Sequence, residues 1–163
     1  MARIRPYCDE DLESAVGLWH RAKRAAYPYL PLEQGRTLDD DRTFFRSAIL
    51  ARCRVWVCEE GDDPRAFLAM DGSYLDRLYV APAHQRRGLG SSLLAEAFLL
   101  SPMGIELHTH QENHAARTFY ERHGFRAFSF GVSPPPESAP DVEYRWRPGE
   151  DPPSGYAGTT LYP

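Results

Sequence analysis

The sequence has no apolar run approaching the ~18 residues that a membrane-spanning helix needs, so no membrane span is expected. Its start, Met1-Ala2-Arg3-Ile4-Arg5-Pro6, leads directly into charged residues and carries no apolar core of a secretory leader. Basic tracts are absent too. A formal charge of −4 over 163 residues, with both signs interspersed, gives nucleic acid no electrostatic footprint. Cysteine is scarce: Cys8, Cys53 and Cys58 cannot all pair and show no CxxC spacing, so free thiols in a reducing cytoplasm are expected. No internal repeat is present.

What remains is the length of one domain, with an ordinary 42% hydrophobic and 26% charged composition. Periodicity divides it. Residues 2–6 read as a short strand ended by Pro6. Leu12, Ala15, Val16, Trp19, Ala22 and Ala26 recur at helical spacing, giving a helix over about 9–26. The aromatic segment Tyr27-Pro28-Tyr29-Leu30-Pro31-Leu32 breaks it. A second helix is expected over 39–50, with Asp39-Asp40-Asp41 enriching its N-terminus in carboxylates that suit the helix dipole. Strands at 54–59, 65–70 and 74–80, separated by glycine turns, read as an antiparallel meander.

A helix ending near Ser101-Pro102, a strand at 105–109, a helix from Asn113 to His123 stopped by Gly124, and extended segments at 125–132 and 142–147 complete the order. The proline-rich stretch 133–140 must be a loop. The expectation is an α/β domain over residues 1–147, with a mixed, largely antiparallel sheet of about seven strands and about four helices, followed by a Pro/Gly-rich tail over 148–163.

The most informative segment lies between an apolar strand and an amphipathic helix: Gln85-Arg86-Arg87-Gly88-Leu89-Gly90-Ser91. A helix start offers unpaired N–H groups and a partial positive charge that attract phosphate. Glycines let the backbone turn and let a ligand approach, and arginines add charge-assisted contacts. A tight turn with two solvated arginines would look the same on glycine spacing alone. The dinucleotide fingerprint fails because Leu93 stands where a third small residue belongs, and a P-loop fails for want of a Gly-Lys-Ser/Thr triplet.

Leu78-Tyr79-Val80-Ala81-Pro82-Ala83-His84-Gln85-Arg86-Arg87-Gly88-Leu89-Gly90-Ser91 resembles the acetyl-CoA-binding motif of the GNAT N-acetyltransferase superfamily. Asn113-His114-Ala115-Ala116-Arg117-Thr118-Phe119-Tyr120-Glu121-Arg122-His123-Gly124-Phe125 resembles that superfamily's later helix. The resemblance implies that residues 86–91, Arg86 to Ser91, bind the coenzyme pyrophosphate, with Gln85 opening the motif. It implies that the backbone of Leu78, Tyr79 and Val80 meets pantetheine, with an oxyanion donor near Val80. It further implies that Asn113 contacts the coenzyme and that Tyr120 is the general acid. The activity implied is transfer of acetyl from acetyl-CoA to a primary amine of a small molecule or peptide by direct attack in a ternary complex. A non-catalytic acyl-CoA sensor is the rival reading, and a homodimer is a further expectation from the resemblance.

Amide formation needs an unprotonated amine, a stabilised oxyanion, alignment and a protonated leaving group. A phenol such as Tyr120 stays protonated at neutral pH and can supply the last. For the base, His108 and Asp76 are candidates, and a water chain with neither is an alternative. The resemblance implies that Tyr27 and Tyr29 wall the acceptor site, with hydrophobic packing between the first two helices as the alternative reading of that segment. His108 and His110 share one strand face and His114 follows, but no cysteine or paired carboxylate completes a metal site, so no metal is expected.

Overall fold

A computed structural model describes residues 2–150. Residues 151–163, most of the expected tail, lie outside the described residues. Seven strands form one sheet: β1 (Ala2–Pro6), β2 (Arg54–Glu60), β3 (Asp63–Asp71), β4 (Tyr74–Val80), β5 (Ile105–His110), β6 (Arg126–Val132) and β7 (Pro140–Trp146). Their order is β1-β2-β3-β4-β5-β7-β6, and every pairing is antiparallel except β4 with β5.

The helices are α1 (Leu12–Ala26), α2 (Pro31–Gly35), α3 (Leu38–Phe44), α4 (Leu50–Arg52), α5 (Leu89–Leu100) and α6 (His114–Arg122). The expected helix over 39–50 is real but interrupted: a π-helical turn, Phe45–Ile49, joins α3 to α4. It buries both Phe45 and Ile49 completely. Thr37 and Asp40 cap α3 reciprocally, the Thr37 hydroxyl accepting from the Asp40 N–H at 3.1 Å and Asp40 accepting from the Thr37 N–H at 2.8 Å. α2, which the sequence reading did not anticipate, starts on Pro31, a residue suited to a first helical turn.

Alternation along the strands sends side chains to two cores. Val55, Val57, Phe67 and Ala69 pack with Val16, Trp19, Phe45 and Ile49 on the α1 side. Trp56, Ala66, Leu68, Ile105 and Leu107 pack with Leu93, Leu94, Tyr120 and Phe125 on the α5–α6 side. Truncating a large core side chain such as Phe67 would cost about 3–5 kcal/mol, so the two cores fix the sheet rigidly between its helix layers. Cys53 and Cys58 are buried free thiols, as expected, and Cys8 is an exposed one. Among the described residues no helix is long and apolar enough to cross a membrane.

Edge strand β6 is exposed along its whole length, with Phe128, Phe130 and Val132 at 61%, 61% and 65% exposure. The guanidinium of Arg145 lies 3.3 Å from the Phe128 ring centre.

Candidate functional site

The site begins with a defect in the sheet. β4 and β5 run parallel but pair at a single position, Tyr74 with Glu106. Past that point they diverge, and none of residues 76–80 is fully buried, although β4 is the middle strand of seven. A β-bulge between β3 and β4 lets Asp76 drop out of register, since Ala69 faces Arg77 while Met70 faces Leu75. The strands thus open a wedge bordered by Leu78, Tyr79 and Val80.

At the mouth of the wedge the chain turns into α5. Arg86 adopts φ 60° and Gly88 φ 84°, both in the left-handed region, and Gly88 serves as the N-cap. These two positions swing the loop so that α5 starts directly. Among the described residues no acceptor takes the N–H groups of Gly88, Leu89, Gly90 or Ser91. Left dry, such donors would each cost about 1–3 kcal/mol, so they are sites for water or for an anion. Arg86 and Arg87 are exposed, the latter 3.4 Å from Glu60. The Gln85 side chain donates to the Val80 carbonyl at 3.2 Å, tying loop to strand. Unpaired N–H groups, a twelve-residue helix dipole and two guanidiniums suit a pyrophosphate.

On the α6 side, the Asn113 carbonyl oxygen accepts from the Ala116 N–H at 3.1 Å, so the residue caps α6. Tyr120 is 7% exposed, against Phe119 and Phe125. Its hydroxyl makes no hydrogen bond among the described residues. Burial pushes this phenol up, and the neighbouring Tyr79 and Tyr74 add to the rise, so it stays protonated. His123, at the end of α6, donates from Nδ1 to the Phe119 carbonyl at 2.7 Å and sets Nε2 3.1 Å from Ser91 Oγ.

The two expected base candidates take different partners. The Asp76 carboxylate sits between Arg52 at 2.9 Å and Arg77 at 3.2 Å. His108 is exposed, with Nδ1 3.1 Å from the Tyr74 hydroxyl.

The structure brings Tyr27 and Tyr29 together with Tyr79. The Tyr27 and Tyr79 hydroxyls are 2.8 Å apart, and Tyr27 and Tyr29 meet edge-on at 6.1 Å. Between them stands His110, whose ring is 4.7 Å from that of Tyr27. Its Nδ1 is 3.1 Å from the Tyr29 hydroxyl and its Nε2 3.0 Å from Glu137 in the β6–β7 loop. The sequence reading weighed His110 only as a metal ligand and passed over Glu137. The alternation that puts His110 on the face of His108 was visible, but its partners come from distant segments. Among the described residues no group of three or more His, Cys, Asp or Glu side chains is arranged to hold a metal ion.

Comparison with known proteins agrees with this geometry. Residues 51–127 match the model of the acetyltransferase (GNAT) domain. The chain is 30% identical over 124 residues to the peptidyl-lysine N-acetyltransferase YjaB of Escherichia coli, covering 76% of this chain and 81% of that protein. It is 27% identical over 127 residues to the YjaB of Salmonella typhimurium, covering 77% and 84%. The solution structure of apo-form YjaB from Escherichia coli superposes with a TM-score of 0.76 at 24% identity, over 89% of this chain and 97% of that one, and so shares the fold.

Proposed function

This chain belongs to the GNAT acetyltransferase family, and from that premise we propose that it acetylates a lysine side-chain amine of a protein or peptide, with acetyl-CoA as donor, in the wedge between β4 and β5. That it is an N-acetyltransferase follows from the family and the curated relatives. The acceptor class rests on the names of those relatives and on the acidic groups Glu112, Glu137 and Asp141 around the tyrosine wall, which favour a cation.

One observation carries the reading: the middle strand of the sheet loses its neighbour beside a helix start whose N–H groups have no acceptor among the described residues. In this reading Arg86 to Ser91 hold the pyrophosphate, and the unpaired edge of Leu78, Tyr79 and Val80 holds the pantetheine arm. A backbone N–H near Val80 faces the developing oxyanion, and the Asn113 amide reaches the coenzyme while its oxygen caps α6. The thioester supplies the activated acetyl group. The chain aligns it with the amine for direct attack in a ternary complex, excludes water through the buried aromatic walls, and gives the leaving thiolate a proton from Tyr120 Oη. A buried phenol with no hydrogen bond among the described residues is suited to that donation and favours an enzyme over a mere acyl-CoA sensor.

Free thiols at Cys8, Cys53 and Cys58 support a reducing cytoplasm as its compartment. The apolar edge of β6 is the surface among the described residues best suited to a homodimer. A panel of lysine peptides, peptides with only a free α-amine, and small amines, incubated with acetyl-CoA and read by mass spectrometry, tests the acceptor. Acetyl-lysine peptides are expected. Turnover confined to small amines would replace this acceptor class with a small molecule.

A further inference from the structure

His110 is 8% exposed, yet both of its ring nitrogens are engaged by residues that no strand or helix of the sheet contributes. The Glu137 carboxylate can only accept, so Nε2 carries the hydrogen. In the neutral ring Nδ1 is then the acceptor, and the Tyr29 hydroxyl donates to it. Chain position puts this array at the wedge. His110 lies four positions beyond Glu106 on β5. Tyr79 lies five beyond Tyr74 on β4, one of them the bulged Asp76, so His110 and Tyr79 stand level across the opening. Tyr27 bridges the two, hydroxyl to hydroxyl with Tyr79 and ring to ring with His110. Tyr29 is only half-buried, which leaves its oxygen reachable from the acceptor side.

We propose that Tyr29, His110 and Glu137 form the proton relay that deprotonates the acceptor ammonium. The inference rests on the acetyl-transfer reading above. The ammonium N–H bond breaks and its proton goes to Tyr29 Oη, while the Tyr29 proton passes to His110 Nδ1. The amine electron pair is freed for the carbonyl carbon, and the imidazolium is held by Glu137 at Nε2. The proton that nitrogen loses on acylation replaces the one Tyr120 gives the thiolate. Net release is the single proton that His110 returns to solvent, and no electron is transferred to an outside group. Tyr29 touches the amine, His110 receives the proton, and Glu137 is a positioning residue.

Burial pushes the Tyr29 phenol up, with Glu112, Glu137 and Tyr79 adding to the rise, so Tyr29 passes a proton on rather than ending as a phenolate. The hydrogen bond to His110 holds the Glu137 carboxyl below its ordinary value despite burial. The titratable and charged groups facing His110 are Tyr27 and Tyr29 before α2, Arg77 and Tyr79 on β4, Glu112 after β5, Glu137 in the loop and Asp141, its cross-strand partner on β7.

The bland alternative is that these bonds only fasten the 133–139 loop to the Tyr29 segment. Rate–pH profiles separate the two. His110→Gln can still hydrogen-bond both neighbours, so it keeps the fastening and loses the proton acceptor. It should lower kcat by about 10²-fold, leave the Kd for acetyl-CoA unchanged, and replace the acidic limb of the kcat profile with a rise that continues toward the free amine value of about 10.4. Glu137→Gln removes the negative charge held at Nε2 and should lower kcat and alter the rate–pH profile while leaving the Kd for acetyl-CoA unchanged. Should His110→Gln fail to fold, Tyr29→Phe, which keeps the ring contacts, carries the same comparison and the same expected loss. A wild-type profile in these variants, or lost activity with an unchanged profile shape, overturns the relay. Each variant is compared with wild type on whichever amine the wild type acetylates best. Failure on lysine peptides thus removes the acceptor class without touching the test of the relay.

Discussion

His123 Nε2 lies 3.1 Å from Ser91 Oγ, so the end of α6 is hydrogen-bonded to the first turn of α5. The Nδ1–H is committed to the Phe119 carbonyl at 2.7 Å, which makes Nε2 the acceptor in the neutral ring and the Ser91 hydroxyl the donor. The two segments that resemble GNAT motifs are therefore one physical unit. A ligand that orders the α5 N-terminus also leans on the helix that carries Tyr120.

His123→Leu should therefore weaken acetyl-CoA binding while sparing the chemistry. One lost hydrogen bond of about 1 kcal/mol corresponds to a Kd raised about 5-fold. Turnover at saturating donor should stay within about two-fold. Calorimetric titration of the coenzyme and steady-state rates check the pair of outcomes.

Gly88→Ala should combine strain with loss of the ligand. At φ 84° a Cβ costs about 1–2 kcal/mol. Gly61→Ala is the control, since φ is 68° there in a surface turn and a Cβ would meet nothing within 4 Å. Both should lower Tm by a few degrees, roughly 2–8 °C for a domain of this size. Only Gly88→Ala should raise the Kd for acetyl-CoA.

Tyr120→Phe should keep the fold and the donor. The hydroxyl has no partner to abandon among the described residues, so stability should change little. If Oη gives the thiolate its proton, kcat falls about 10²-fold at unchanged acetyl-CoA affinity. Unaltered turnover would remove Tyr120 as the acid.

Asp41 anchors a buried ionic cluster: Lys23 at 2.7 Å, His20 at 2.7 Å and Arg36 at 2.9 Å, with Glu33 2.9 Å from Lys23. Burial alone would raise the Asp41 carboxyl, but the hydrogen bonds from Lys23, His20 and Arg36 hold it below its ordinary value. A carboxyl depressed in the folded state contributes stability that is present above the unfolded value of about 3.9 and is lost as pH falls through the folded value. Wild type should therefore weaken below about pH 4. Asp41→Asn should be destabilised by about 1–3 kcal/mol at neutral pH, because one amide cannot satisfy Lys23, His20 and Arg36 together and Lys23 keeps only Glu33 as a counter-charge. Its acid sensitivity should be shallower. Denaturant unfolding across pH measures both.

That cluster shows where the sequence stops informing. Asp39-Asp40-Asp41 was readable as a helix start, and Thr37 and Asp40 cap it, but burial of the third aspartate depends on α1 lying across it. The strands were legible because alternation survives in a sheet with two cores, and the α5 start was legible because its glycines and arginines are contiguous. The wedge was not, since a parallel pair that touches at one position leaves no local mark. Tyr29, His110 and Glu137 come from three separate segments, and only the returning β6–β7 loop joins them. The start of α6 was legible as well: the sequence places a helix from Asn113, and its side chain caps that helix.

Backbone amide shifts on titration with acetyl-CoA test most directly the claim that the β4–β5 wedge and the α5 start form the donor site. The account predicts saturable shifts concentrated in the N–H groups of residues 78–80 and 86–91, with smaller ones at His123 and Asn113. Saturable binding that moves other amides and leaves 88–91 unchanged would contradict it.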